Sequence, residues 1–145
     1  MSIDPSYKDL NRASTERIKK LAASLTDQEM QTRVGEHWTV SIALAHIAWW
    51  ERRVMYVLDM TTKEGKLVLP NIDIIVNDIS LPFWAALPAH EAARIAIETS
   101  ENVDKQLEVY PQDLLEELYN QNKRFVIRAL HRNEHLDEVD AALRR

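Results

Sequence analysis

Two glycines, Gly35 and Gly65, and five prolines are all the backbone punctuation in this chain of 145 residues. A β-sandwich or barrel turns roughly every 8–12 residues and draws on Gly and Pro to do so. So small a supply suits a few long helices joined by a few connections.

The apolar spacing agrees. Asp4 is placed to cap a first helix with Pro5 at its first position. Ile3, Tyr7, Leu10, Ser14, Ile18, Leu21 and Leu25 then recur at heptad-like spacing, with charged residues opposite. Thr26 to Glu29 fits a capping box, which predicts a short second piece ending at Gly35. Thr39 caps a long second helix through about Asp59, apolar almost all round in its first half. Residues 60–87 hold Gly65, Pro70 and Pro82 without a clean period, and read as a long packed connection with a helical turn or two. Pro88 starts a third helix with Ala92, Ala96, Val103 and Leu107 inward. Leu114, Leu115 and Leu118 suggest a short helical bridge. A last helix covers about Lys123 to Leu143, with Phe125, Ala129, Leu130, Leu136, Val139 and Leu143 inward. The expected fold is all-α: one domain over residues 1–145, a four-helix bundle with a long connection between helices 2 and 3.

Charge and composition narrow the function classes. The net charge is −5, and the basic pairs Lys19-Lys20, Arg52-Arg53 and Arg144-Arg145 lie among mixed charges, so a nucleic-acid partner is not expected. Cysteine is absent, which excludes disulfides, thiolate metal sites and a Cys nucleophile. Any metal is therefore held by N and O donors. No apolar run approaches the roughly 18 residues of a membrane span, and no signal-peptide pattern opens the chain, so no membrane partner and a cytoplasmic location are expected. Trp49 and Trp50 differ by about 100° around their helix and cannot both face one seam. That surplus of apolar surface predicts a homodimer.

The candidate chemistry lies in "HRNEH", His131 to His135. Residues four apart share a helix face, with Cβ atoms about 5–6 Å apart. Five histidines in 145 residues produce such a pair by chance roughly 13% of the time, so the pair alone is weak. His46 adds weight. It sits mid-helix among Ile42, Ala43, Ile47, Trp49 and Trp50, where an imidazole must find a partner or bind something. A lone core histidine usually finds a side-chain partner. In a bundle, however, facing helices bring ligands together, and three imidazoles close on one ion at about 2.1 Å. Three neutral ligands leave a coordination position open, as catalytic sites do.

"WTVSIALAHIAWWERR", followed about 85 residues later by "HRNEHLDEV", resembles the DinB/YfiT-like superfamily of metalloenzymes, related to the N-terminal domains of mycothiol-dependent maleylpyruvate isomerases. Trp38, Thr39, Val40 and His46 match its first signature, and His131, His135 and Leu136 its second. The likeness runs from about Tyr7 to Leu143. It implies a four-helix bundle, often dimeric, with a three-histidine site for a divalent metal at His46, His131 and His135. Some relatives are transferases or isomerases that use a low-molecular-weight thiol, mycothiol or bacillithiol. The fused isomerases are a poor guide to substrate, because a second catalytic domain is not expected here.

The other residues weighed are humbler. His37, beside Trp38, reads as an exposed loop residue and His90 as surface. Glu134, about 100° round the helix from His135, is the candidate base, with a solvated carboxylate as the plainer reading. Arg128 either holds an anionic substrate or pairs with a carboxylate. Asn77 and Asp78 are placed to reach the cavity or a dimer contact. Trp49, Trp50, Phe83 and Trp84 read as core or interface. The leading expectation is a divalent-metal enzyme (Zn, Ni, Fe or Mn) performing thiol-dependent group transfer or hydrolysis on a small-molecule substrate. A non-catalytic metal or small-molecule binding module is the second, and a helical interaction protein the third. With unperturbed imidazoles near pKa 6.5, metal affinity should fall as pH drops through that region.

Overall fold

The computed structural model describes residues 3–144, so Arg145 of the terminal basic pair lies outside it. The described residues form a mostly helical chain with six α-helices. They are α1 (Tyr7–Ser24), α2 (Val40–Glu64), α3 (Ile75–Ala86), α4 (Ala89–Glu108), α5 (Gln112–Gln121) and α6 (Ala129–Leu143). A two-stranded antiparallel ribbon, β1 (Arg33–Val34) with β2 (Trp38–Thr39), leads into α2 and sets Val34 opposite Trp38.

Several expected boundaries move. The first helix starts at Tyr7, because the Asp4 carboxylate accepts from Ser6 N–H at 2.9 Å in a turn that precedes it. Thr26 and Glu29 do form the reciprocal capping box, at 3.0 and 3.1 Å, around a single 3-10 turn. Gly35 ends no helix. Its φ of +68° makes the turn between the two strands. The second helix runs past Asp59 to Glu64 and stops at Gly65, whose left-handed φ of 68° lets its N–H reach Thr61 O.

Residues 60–87 hold more helix than expected, and only residues 65–74 form a connection. They hold the end of α2 and the twelve residues of α3, with Pro82 inside it. The period was present but faces outward: Ile75, Ile79 and Phe83, four apart, are exposed, and only Trp84 is buried. The last helix begins at Ala129, six residues later than expected, after a 3-10 turn at Lys123–Phe125.

α2 packs on α4 and α6, and α1 packs on the same two, so these four helices close a ring; α3 lies against α2. The core inside the ring has two apolar clusters. Ile18, Leu44, Ile47, Ala92, Ala96, Leu136 and Val139 belong to one. Val54, Leu58, Val103, Leu107, Leu115, Leu118 and Phe125 belong to the other.

A polar layer separates them. Glu51 and Arg132 are 0% exposed, and Asn11, Ser14, Thr15, Ser100, Asp104 and Arg128 are buried with them. Glu51 accepts from Arg128 Nε at 2.8 Å and from Arg132 Nε at 3.0 Å, and an Nη2 of each arginine closes a second bond. The two guanidiniums thus share one carboxylate, the Arg128 fork closing on Oε2 and the Arg132 fork on Oε1. Arg132 Nη1 also donates to Asn11 O, Ser14 Oγ and Thr15 Oγ1 at 3.0–3.1 Å. Asp104 Oδ1 stands 2.9 Å from it as an ion pair without hydrogen-bond alignment. This layer explains two misplaced leucines. At its level the inward positions of α1 and α6 belong to Asn11 and Arg132, so Leu10 and Leu130 turn outward. Burial pushes the Glu51 carboxyl up, but Arg128 and Arg132 outweigh it and hold it below its ordinary value. Removing one partner of such a group costs about 3–5 kcal/mol, because it strands buried charge. Glu51→Gln should therefore destabilise the fold by about that much, read as a lower urea midpoint with an unchanged slope. A loss below about 1 kcal/mol would show that solvent screens the layer.

Candidate metal centre

His46 is set by what starts α2. Thr39, extended at φ −120°, accepts from Ile42 N–H through its hydroxyl at 3.2 Å. The ribbon fixes Trp38 just before it, and the Trp38 ring packs 4.5 Å from the His46 ring and 5.4 Å from the His135 ring. His131 and His135 are set by what starts α6. That helix has no capping side chain of its own, and Asn11 of α1 supplies one. Asn11 Oδ1 accepts from Ala129 N–H at 2.9 Å, while its amide donates to Val126 O at 2.9 Å.

The three imidazoles meet. His46 Nε2 lies 3.2 Å from His131 Nε2 and 3.1 Å from His135 Nε2, and one ring nitrogen from each residue falls within 4.8 Å of the others. Ligands about 2.1 Å from one ion stand about 3.0 Å apart at octahedral corners and about 3.4 Å at tetrahedral ones. The observed separations lie in that interval. Without an ion the grouping is poorly satisfied, since a neutral imidazole offers one donor and one acceptor. His46 Nε2 faces two nitrogens and shares a proton with at most one of them. The donor set therefore fits a cation of the kind imidazole takes. Glu138 sharpens the fit, because its carboxylate lies 2.8 Å from His135 Nδ1 and directs the Nε2 lone pair inward.

The cluster forms one wall of a cavity of about 380 Å³. Trp38, Trp50, Asn77 of α3 and the arginines 53, 124 and 128 line the rest. Asn77 Oδ1 accepts from Trp50 Nε1 at 2.9 Å, tying α3 to α2 across the mouth. Trp84, buried, stands edge-on 5.4 Å from His46.

Of the residues singled out in the sequence, His46, His131, His135, Arg128, Asn77 and Trp50 come together here. Arg128 pairs with a carboxylate, Glu51. Glu134 points outward and pairs with Arg124 at 3.1 Å. His37 and His90 have exposed side chains beside Glu36 and Glu91, and Asp78 is exposed. Glu51, Arg132, Glu138 and Arg53 were missed. Two of them had a signal. Glu51 falls in the stripe Ile47, Glu51, Val54, Leu58, and Arg132 in the stripe Ala129, Arg132, Leu136, Val139. A charge inside an apolar helical stripe marks a buried ion pair.

Burial, then the charge His135 would carry, pushes His46 down to about 3, with an Asn77 hydrogen bond partly opposing. Burial, then Arg128 and the other histidines, pushes His131 down to about 2. These two ligands stay neutral far below pH 6.5, so protons compete for them much later than free imidazole would suggest. The effect on folding has the opposite sense. The unfolded chain protonates both near pH 6.5 while the folded chain does not, so stability is full above that pH and falls on acidification toward 3. Metal-free protein should lose about 1.4 kcal/mol per pH unit for each histidine between about pH 6 and 4. Urea melts across that range measure it. His131→Leu should flatten the slope, and a wild-type profile flat from pH 6.5 to 4.5 would contradict it.

No curated protein and no solved structure matches the chain. The family model described as the DinB superfamily matches residues 10–142, which takes in all three histidines and every helix of the ring but the first turn of α1 and the last residue of α6. The chain belongs to the DinB superfamily.

Proposed function

We propose that this chain binds one divalent ion through the Nε2 atoms of His46, His131 and His135 and acts as a metal-dependent enzyme on a small molecule. Thiol-dependent group transfer and hydrolysis are the reactions that suit it. The observation that carries this reading is the convergence of three ring nitrogens on the wall of a cavity, those of His131 and His135 at 3.2 and 3.1 Å from that of His46. When bound, the ion supplies Lewis acidity and brings the pKa of a bound water or thiol toward neutrality. The protein's own part is to hold His46 and His131 neutral, to orient His135 through Glu138, and to wall the cavity with Trp38 and Trp50. Zn, Ni and Fe all suit imidazole ligands, whereas Mn favours the oxygen donors this set lacks. We read residues 1–145 as one domain and the ring of α1, α2, α4 and α6 as its four-helix bundle.

One observation favours the second reading, a non-catalytic metal or small-molecule binding module. No carboxylate lines the cavity among the described residues, and Glu134, the candidate base, is half-exposed and tied to Arg124. Consumption of a low-molecular-weight thiol by the metal-loaded protein and an electrophile would separate the two.

The homodimer stays part of the proposal, on different support. Trp50 lines the cavity and Trp49 packs on the core, whereas Ile75, Ile79 and Phe83 stand out from α3. A second copy of the chain covers that stripe in this reading. Light scattering should report twice the chain mass for wild type and the chain mass for Ile79→Asp.

The metal reading is tested by metal content after incubation with Zn or Ni and desalting. Wild type should retain an ion. His46→Ala and His135→Ala should lose it while keeping the helical circular dichroism of wild type. A variant lacking all three histidines that retains as much metal as wild type would end the proposal.

A further inference from the structure

The cavity's charge is unbalanced in a way the metal does not explain. Arg53, Arg124 and Arg128 line it, and no Asp or Glu does among the described residues. Two of these cations are already answered: Arg128 by the buried Glu51, and Arg124 by Glu134 outside. Arg53 has no carboxylate partner among the described residues. Its Nε is sealed from solvent without an acceptor, and its guanidinium carbon lies 5.6 Å over the Trp50 ring and 4.8 Å over the Phe125 ring. Two aromatic faces thus hold a charged fork in place and leave its charge without a counterion. Burial and the charge of Arg128 both weaken its hold on its proton, as expected for a cation lacking a partner.

A neutral ligand would leave this excess uncompensated, a cationic one would add to it, and a metal ion bound nearby adds to it as well. We infer that the cavity takes a small organic anion whose carboxylate is held by Arg53 while its other end faces the three histidines. Trp50 joins the two ends. Its ring lies 6.3 Å from the His46 ring and 5.6 Å from the Arg53 guanidinium carbon, so one small molecule reaches both. The volume, about 380 Å³, is at the small end of the range of about 300–1,000 Å³ for ligand cavities. Asn77 and Asn122, also on the wall, offer neutral polar contacts to the rest of the molecule. This inference deepens the proposed function by naming a substrate class, and it rests on the histidines facing that same cavity.

The probes are benzoate, its uncharged analogue benzamide, and phenyl phosphate, titrated in low-chloride buffer and followed by tryptophan fluorescence. Wild type should bind benzoate and reject benzamide. Phenyl phosphate binding as tightly as benzoate would overturn the assignment of a carboxylate. Arg53→Gln removes the charge and leaves a shorter polar side chain, and should weaken benzoate by about tenfold or more. Arg53→Lys should fall between the two, since it keeps the charge and loses the fork. Equal benzoate affinity in wild type and Arg53→Gln, or equal affinity for benzoate and benzamide, would overturn the proposal. Thermal melts establish that both variants fold, and Arg53→Lys carries the test if Arg53→Gln does not. Every titration is run on metal-free and on Zn-loaded protein. Should the histidines bind no metal, the metal-free titration still reads Arg53, so the two failures are told apart.

Discussion

Glu51 is a carboxylate with no exposure in the middle of the most apolar long helix of the chain, and the arrangement around it depends on what it holds. Taking an ionised group out of water is costly unless it is paired and hydrogen-bonded. Here Arg128 and Arg132 each give it two donors, Arg128 from the residue that precedes α6 and Arg132 from its first turn. The pairing therefore fixes how far α6 is advanced along α2 and how it is rotated. His131 lies between the two arginines in sequence, and His135 follows one turn later on its side. A slip of one turn would strand a carboxylate and two guanidiniums in the interior. Apolar packing alone tolerates such slips far better, because it is not directional. The charged layer gives the core a register, and the register aligns the imidazoles with His46.

The same layer shapes the electrostatics of the cavity. Arg128 lies against His131, and burial with neighbouring positive charge holds His46 and His131 neutral well below the ordinary range of histidine. Neutral nitrogen lone pairs are what a metal requires, so the environment that penalises an imidazolium prepares the ligands in advance. It also makes the cavity a cationic place, where anions are favoured and where the metal's own charge adds to an existing excess.

α3 has a structural role that its composition hides. It buries one residue, Trp84, and contributes Asn77, with Ile74 just before it, to the wall of the cavity. Few buried contacts and an internal proline mark it as the least anchored helix of the wall. Its exposed stripe and its contact with Trp50 link the outside of the molecule to the site.

Local chemistry was legible in the sequence. The capping box at Thr26, the cap at Thr39, the inward stripe of α4 and the i, i+4 spacing of His131 and His135 all depend on residues near one another in the chain, and the structure contains each. The Trp-Thr-Val entry and the histidine spacing also sufficed to point to the family. What was misread depends on partners remote in sequence. α6 starts at Ala129 because Asn11, 118 residues away, caps it. Leu10 and Leu130 turn outward because Asn11 and Arg132 are needed inside. α3 looked irregular because its period faces outward, and periodicity is informative only when one face is buried. The orphaned charge of Arg53 has no sequence signature at all, since an unpaired cation is defined by which carboxylates fail to reach it in three dimensions. Spacing along a helix decides which side chains share a face. Only the packing of helices against one another decides which faces meet, and the long-range ion pairs that set that packing are invisible until the chain is folded.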